Sequence, residues 1–226
     1  MVYTERKGGT KMKAIVLFSG GQDSTTCLYM VKEHFSYVKA LSINYGQKHQ
    51  LELEAARIIA DMAGVQHEII NLPKGVLKGG DLLKPGHISG VTEGIAPTWV
   101  PMRNLLFLTI GVNHCIAENY DTLAIGINQM DYSGYPDCRD DFIESFTQTA
   151  ELASEQDIGI WAPLIYCDKA SIVRIAHETK GCWEALAYTH TCYNGVYPPC
   201  GECAACILRA KGFAQAGFKD PLIERY

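Results

Sequence analysis

Two short stretches of this 226-residue chain hold side chains at spacings suited to chemistry. The first is Phe18-Ser19-Gly20-Gly21-Gln22-Asp23-Ser24-Thr25-Thr26-Cys27-Leu28. Its two glycines let a backbone turn sharply and approach an anion closely. The hydroxyls of Ser19, Ser24, Thr25 and Thr26 add donors, and the following helix offers unpaired N–H groups and a positive end. Asp23 is placed to organise a divalent cation. The string has neither the lysine of a Walker A loop nor the glycine spacing of the dinucleotide fingerprint. The second stretch is Cys192-x7-Cys200-x2-Cys203-x2-Cys206, four thiols spaced for one tetrahedral ion. Successive C-x2-C pairs read as a zinc site, closed and structural because protein ligands take every position. An iron–sulfur cluster and a sulfur-carrying thiol relay are the competing uses. A relay requires an exposed, low-pKa cysteine outside the metal set, and Cys138 is the candidate.

Pro101-Met102-Arg103-Asn104 opens a helix, so a cation and an amide project from its first turn, where they would meet phosphates. Asn128 to Arg139 packs Asp131, Asp137 and Arg139 with two tyrosines into a Gly- and Pro-shaped loop, dense in groups that read planar hydrogen-bonding ligands. Asn44 to His49 closes a strand in the same way.

The elements that must position these groups alternate along the chain. Buried-strand patterns run at Lys13 to Phe18, Val38 to Asn44, His67 to Leu72, Leu123 to Ile127 and Ile158 to Ala162. Helical patterns run at Ser24 to His34, Gln50 to Ala63, Arg103 to Ala117, Asp140 to Ala153 and Lys169 to Thr179. In the second helix Leu51, Ala55, Ile58, Ile59 and Met62 share one face. The alternation predicts an α/β fold with a mainly parallel, doubly wound sheet. The first chemical stretch then falls between the first strand and its helix, where such sheets bind ligands. Pro73 to Pro97 reads as a long functional or mobile loop. Residues 12–181 are expected to form the α/β domain, and 182–226 a cysteine-rich region packed on it and ending in a short helix. The polar leader 1–11 lacks periodicity and is set aside.

Composition removes several classes. The chain is 47% hydrophobic and 20% charged, with a net charge of −5 and no basic run longer than two residues, which argues against holding nucleic acid by its phosphates. Leu105 to Ala117 falls short of the roughly 20 apolar residues that a bilayer span needs. Nine cysteines, an odd number without an export signal, point to a reducing cytoplasm.

The SGGQDS string resembles the pyrophosphate loop of the PP-loop ATP pyrophosphatases. Together with NYGQKH, PMRN, DYSGYPDCRDDFI and the CYNG…CGECAACILRAKGF tail, it makes the chain similar to the QueC family from about residue 13 to residue 220. The resemblance implies an ATP-dependent ligase that turns 7-carboxy-7-deazaguanine and ammonia into the 7-cyano compound. It also implies ATP cradled by Phe18 to Leu28, zinc on Cys192, Cys200, Cys203 and Cys206, and a homodimer. The expected roles that follow from the chemistry are Asp23 and Ser24 at the phosphates with Mg2+, Arg103 and Lys169 stabilising phosphate charge, and Asp131, Asp137 and Arg139 facing the deazaguanine. A related PP-loop ligase, a tRNA thiolase, an enzyme joining a deazaguanine to a macromolecule and a non-catalytic zinc module remain as alternatives.

Overall fold

The computed structural model describes residues 12–91, 94–128 and 135–226. Five parallel strands lie in the order β3-β2-β1-β4-β5: β1 (Lys13–Leu17), β2 (Tyr37–Asn44), β3 (Gln66–Asn71), β4 (Thr122–Ile125) and β5 (Gly159–Trp161). β1 pairs with β2 from Lys13↔Tyr37 to Leu17↔Leu41, and with β4 from Ala14↔Thr122 to Leu17↔Ile125. The chain therefore reverses its direction of growth between β1 and β4, which opens a crevice at the carboxyl ends of those two strands.

The two-residue period of the strands divides the core between the sheet's faces. Ala14, Val16, Ala40 and Ala124 face α1 (Gln22–His34), α2 (Leu51–Ala63) and α5 (Lys169–Glu178). Ile15, Leu17, Leu41 and Leu123 face α3 (Arg103–Glu118) and α4 (Asp140–Ser154). Small residues dominate the first face, and α2 comes close there. Its buried stripe is Leu53, Ala56, Ala60 and Ala63, flanked by Ala55 and Ile59. Ile58 and Met62, expected to face inward, are 45% and 44% exposed. The reason is steric: α2 lies backbone-close to the loop after β1, and a Cβ on Gly20 would sit 2.5 Å from the Glu52 carbonyl oxygen. Alanines permit that approach, and longer apolar side chains are turned outward.

Beyond α5 come α6 (Cys182–Leu186), α7 (Ala204–Ala216) and α8 (Pro221–Glu224). The expected short terminal helix is thus a 13-residue α7 followed by a single turn. Cys182, Ala185, Leu186 and Phe213 belong to the same apolar cluster as β1 and α1. Arg209, 3% exposed, ties α7 to its surroundings through Asp220 at 2.6 and 2.8 Å and through Thr189 Oγ1 at 2.8 Å. The long 73–97 connection is pinned to the tail. Asn194 pairs with both backbone groups of Ile88 at 2.8 Å, and Gly90 N donates to Glu202 O at 2.8 Å. No helix among the described residues is long and apolar enough to cross a membrane.

Candidate functional site

The loop after β1 is organised by its own residues. Gly20 takes φ +81°, in the left-handed region that glycine adopts without penalty. Ser19 and Ser24 lock the turn, their hydroxyls 3.0 Å apart, while Gly21 N donates to Ser19 Oγ at 3.3 Å. α1 starts at Gln22, two residues earlier than the pattern suggested, and no side chain caps it. Gln22, Asp23 and Ser24 are therefore its first turn, the place where backbone N–H groups remain for an anion. Thr26, Cys27 and Leu28, expected at the nucleotide, are fully buried, and Thr26 Oγ1 bonds back to Gln22 O at 3.0 Å. The helical rotation of about 100° per residue carries them from the ligand face into the core. Thr25 is equally buried, so of Phe18 to Leu28 the residues that line the crevice are Phe18, Ser19, Gly21, Gln22, Asp23 and Ser24.

That crevice is a cavity of about 290 Å³. Lys169, the first residue of α5, reaches it and holds Asp23 Oδ2 at 2.5 Å. Asn128, after β4, donates to the same oxygen at 3.1 Å. Gly126 makes this possible, because a Cβ there would lie 2.8 Å from Asp23 O and Ser24 Cα. Gly212 on α7 plays the same part for α5, where a Cβ would meet Lys169 Cβ at 2.6 Å. Asp23 Oδ1 is buried without a partner among the described residues, as are both side-chain polar atoms of Gln22. A buried carboxylate oxygen left open beside an uncapped helix start is a donor suited to a hard divalent cation.

Arg103 also lines the cavity, its guanidinium 5.8 Å from the rings of both Tyr45 and Tyr135 and donating to Tyr45 Oη at 3.4 Å. The preceding residue, Met102, adopts φ 62°, a left-handed strain that sets how Arg103 leaves the helix start.

Two substrate-side expectations, Asp137 and Arg139, meet a different geometry. Asp137 does not line the cavity. Its carboxylate accepts from Trp99 Nε1 and from Asn104 N, both at 3.0 Å, so it caps α3 and each of its oxygens already holds a donor. Arg139 is exposed outside the cavity at the start of α4. Asp131 lies outside the described residues. Cys138, the relay candidate, is buried beside Asn104, and burial pushes its thiol up to about 12, so it is protonated at neutral pH.

Glu52 lines the cavity and was not singled out from the sequence, while Tyr45 and Tyr193 belong to the NYGQKH and CYNG motifs and Phe107 to the helical stretch that Arg103 opens. Burial pushes the Glu52 carboxyl up to about 7, against the opposing pull of Arg103. Its only sequence signal is an acidic residue on the inner side of the first turn of α2, three positions after His49. Tyr193 reaches the cavity because the tail folds back: His190 N donates to Gly20 O at 3.0 Å, and Thr191 packs 3.5 Å from where a Gly21 Cβ would stand.

Cys192, Cys200, Cys203 and Cys206 bring their sulfurs within 4.8 Å of one another. The Cys200–Cys206 separation of 3.9 Å compares with about 3.8 Å for two sulfurs 2.3 Å from one tetrahedral ion. Cys200 N, Cys203 N and Asn194 Nδ2 donate to the sulfurs at 3.4 to 3.5 Å, as thiolates require. Hydrogen bonds from Cys203 and Cys206 drive the Cys192 thiol far down. The cluster can hold a metal. The other cysteines are single thiols raised by burial, to about 12 at Cys115 and Cys182.

The parallel sheet, the serine–glycine loop at its switch point and the tail of four cysteines define the class: an α/β fold with an anion-accepting helix start and a cluster that can hold a metal. The chain's fold matches a solved 4-thiouridine synthetase–RNA complex with bound ATP at a TM-score of 0.50, with 15% identity over 95% of this chain and 52% of that one. The family model for the queuosine biosynthesis protein QueC matches residues 13–217, and the chain belongs to that family. It is 46% identical over 217 residues to the 7-cyano-7-deazaguanine synthase of Laribacter hongkongensis, covering 94% of each chain. It is 44% identical over 220 residues to the enzyme of the same name from Chromobacterium violaceum, again covering 94% of each.

Proposed function

We propose that this chain is an ATP-dependent ligase that converts 7-carboxy-7-deazaguanine and ammonia to 7-cyano-7-deazaguanine. The observation that carries the reading is convergence: an uncapped helix start, Lys169 and Arg103 line one cavity at the sheet's switch point. A carboxylate is a poor electrophile, and its attack on the α-phosphorus of ATP breaks the α–β bridging bond and releases pyrophosphate. The first turn of α1 receives the departing pyrophosphate, with Ser19 and Ser24 holding the loop. Lys169 and Arg103 neutralise the charge that builds on the phosphate oxygens. Ammonia then displaces AMP to leave an amide. A second adenylation, on the amide oxygen, allows loss of AMP and of the nitrogen's protons to leave the nitrile. No nucleophilic side chain is needed, because the protein's part is positioning and charge stabilisation.

Mg2+ accompanying ATP would be held by Asp23, whose Oδ1 has no partner among the described residues, and would supply charge neutralisation at the phosphates. Zinc is the ion proposed for the four cysteines, since a closed set of thiolates leaves no open position and suits a structural role. On this reading the chain acts in the cytoplasm, as a homodimer, on small molecules and without holding nucleic acid directly. The acidic net charge and the unpaired buried thiols support the location and the choice of substrate.

Mass spectrometry of the metal-loaded protein with Mg-ATP, ammonium and 7-carboxy-7-deazaguanine tests the reading. The expected products are the nitrile and AMP. Amide without nitrile would limit the enzyme to the first half-reaction, and folded protein that forms no AMP would overturn the ligase assignment.

A further inference from the structure

With Asp137 committed to the cap of α3, the recognition of a guanine-type ring needs another acceptor among the described residues. Asp23 and Glu52 are the acidic residues there that line the cavity. Asp23 already receives Lys169 and Asn128 on one oxygen and lies at the start of α1, beside the phosphate loop. Glu52 makes no hydrogen bond or ion pair with any described residue, although it is partly buried and Arg103 stands within its field. A half-buried carboxylate that no protein donor occupies, placed in the wall of a ligand cavity, leaves its oxygens open to donors that a ligand brings.

The surroundings of Glu52 narrow what those donors are. Tyr45 and Phe107 meet edge to face at 5.4 Å, and Tyr135 and Tyr193 also line the cavity, so flat aromatic surfaces bound a slot suited to a planar ring. Arg103 lies against Tyr45 and Tyr135 and supplies a cation for an anionic substituent. A guanine-type edge presents a ring N–H and an exocyclic amine side by side, two donors that match the two oxygens of one carboxylate. An adenine edge presents a donor beside a ring-nitrogen lone pair, which would face a carboxylate oxygen repulsively. The nucleotide's own base is therefore a poor partner for Glu52, and the second substrate a good one.

We propose that Glu52 is the specificity-determining residue that accepts both N–H donors of the deazaguanine edge, with the ring held between aromatic side chains and its carboxylate turned toward Arg103. The assignment rests on the ligase reading above.

Steady-state kinetics on the metal-loaded protein tests it, using 7-carboxy-7-deazaguanine and the analogue that lacks the exocyclic amine. The wild type should favour the amine-bearing substrate in kcat/KM by about 10²-fold, because the analogue leaves a carboxylate oxygen unpaired. In Glu52→Gln the KM for the deazaguanine should rise by about 10²-fold or more, the preference should fall to within about threefold, and the KM for ATP should hold. Glu52→Asp, which keeps the charge on a shorter arm, should recover part of the preference. An unchanged preference in a folded, active Glu52→Gln protein would overturn the assignment alone, as would a rise confined to the KM for ATP. A wild type that converts neither substrate would overturn the ligase reading, and this assignment with it.

Discussion

Lys169 and Lys39 each meet carboxylates on the same sheet, at opposite ends of its strands, and they do different work. Lys39, near the start of β2, is 2% exposed and closed off by Glu68 at 2.6 Å and by both oxygens of Glu118 at 2.7 and 2.8 Å. Burial alone would lower its pKa, but the hydrogen bonds to the two glutamates raise it. Every charge there has a partner. At the carboxyl ends Lys169 also holds a carboxylate, yet Asp23 Oδ1 and both polar atoms of the Gln22 amide are buried without partners among the described residues. Buried polar groups are normally satisfied. An end of the sheet that leaves several of them open is built to be completed by a ligand, and the end that satisfies them is built to hold the fold. Glu68, His114 and Glu118 have the donor atoms of a metal site, but Lys39 already supplies the positive charge.

The largest expected effect breaks the open end. Asp23→Asn or Lys169→Met should lower AMP formation by about 10³-fold, the scale of losing one well-placed charge at a developing anion. The unfolding midpoint should fall by no more than about 4 °C, because the Lys169–Asp23 pair is partly exposed at this open end. Activity assays beside calorimetry separate the two readouts, and a large drop in midpoint with modest activity loss would make this end structural as well.

Removing the tail's metal should come next. Chelation should destabilise the protein by about 4 kcal/mol or more, a fraction of what zinc contributes to peptides that fold only around it. AMP formation should vanish with the metal, since Thr191 packs on the phosphate loop and Gly212 on Lys169. Differential scanning calorimetry with metal analysis checks the first, and AMP formation before and after metal is restored checks the second.

The smallest effect sharpens the closed end. Lys39→Met should cost about 2 kcal/mol, below the range for fully buried pairs because both glutamates are partly exposed, and the folded variant should keep its activity. The cost should depend on pH in a stated direction. Lys39 holds Glu118 below its ordinary value of 4.5, so that part of the stability is present above the unfolded pKa and lost as pH falls through the depressed folded one. Lys39 is itself raised above 10.5, so its part is present below that value and lost as pH rises through the elevated one. Denaturant unfolding of the wild type and variant from pH 3 to 11 should give stabilities that converge at both extremes. A constant difference would refute the pairing.

Much of this was legible in the residues because its causes are local. Glycine permissiveness at Gly20, hydroxyls around a helix start and thiols three residues apart all act within a few positions, so the phosphate loop, the metal set and the alternation of strands and helices could be read in order along the chain. Arg103 was found because it opens a helix, and Lys169 through the resemblance to the PP-loop enzymes. The substrate side was harder to read for the opposite reason. Asp137 carries the chemistry of a ligand acceptor, and only the fold brings Trp99 and the start of α3 onto it. Cys138 is a reactive residue type that burial keeps protonated. Glu52 and Tyr193 reach the same cavity from α2 and from the tail, more than a hundred residues apart, with nothing in the spacing to join them. Sequence by itself determined which groups could bind phosphate and metal, since those capacities belong to neighbouring side chains and backbone. Tertiary structure alone decided which acids are already partnered and which remain open, because a hydrogen bond depends on what packing brings within about 3 Å and not on distance along the chain.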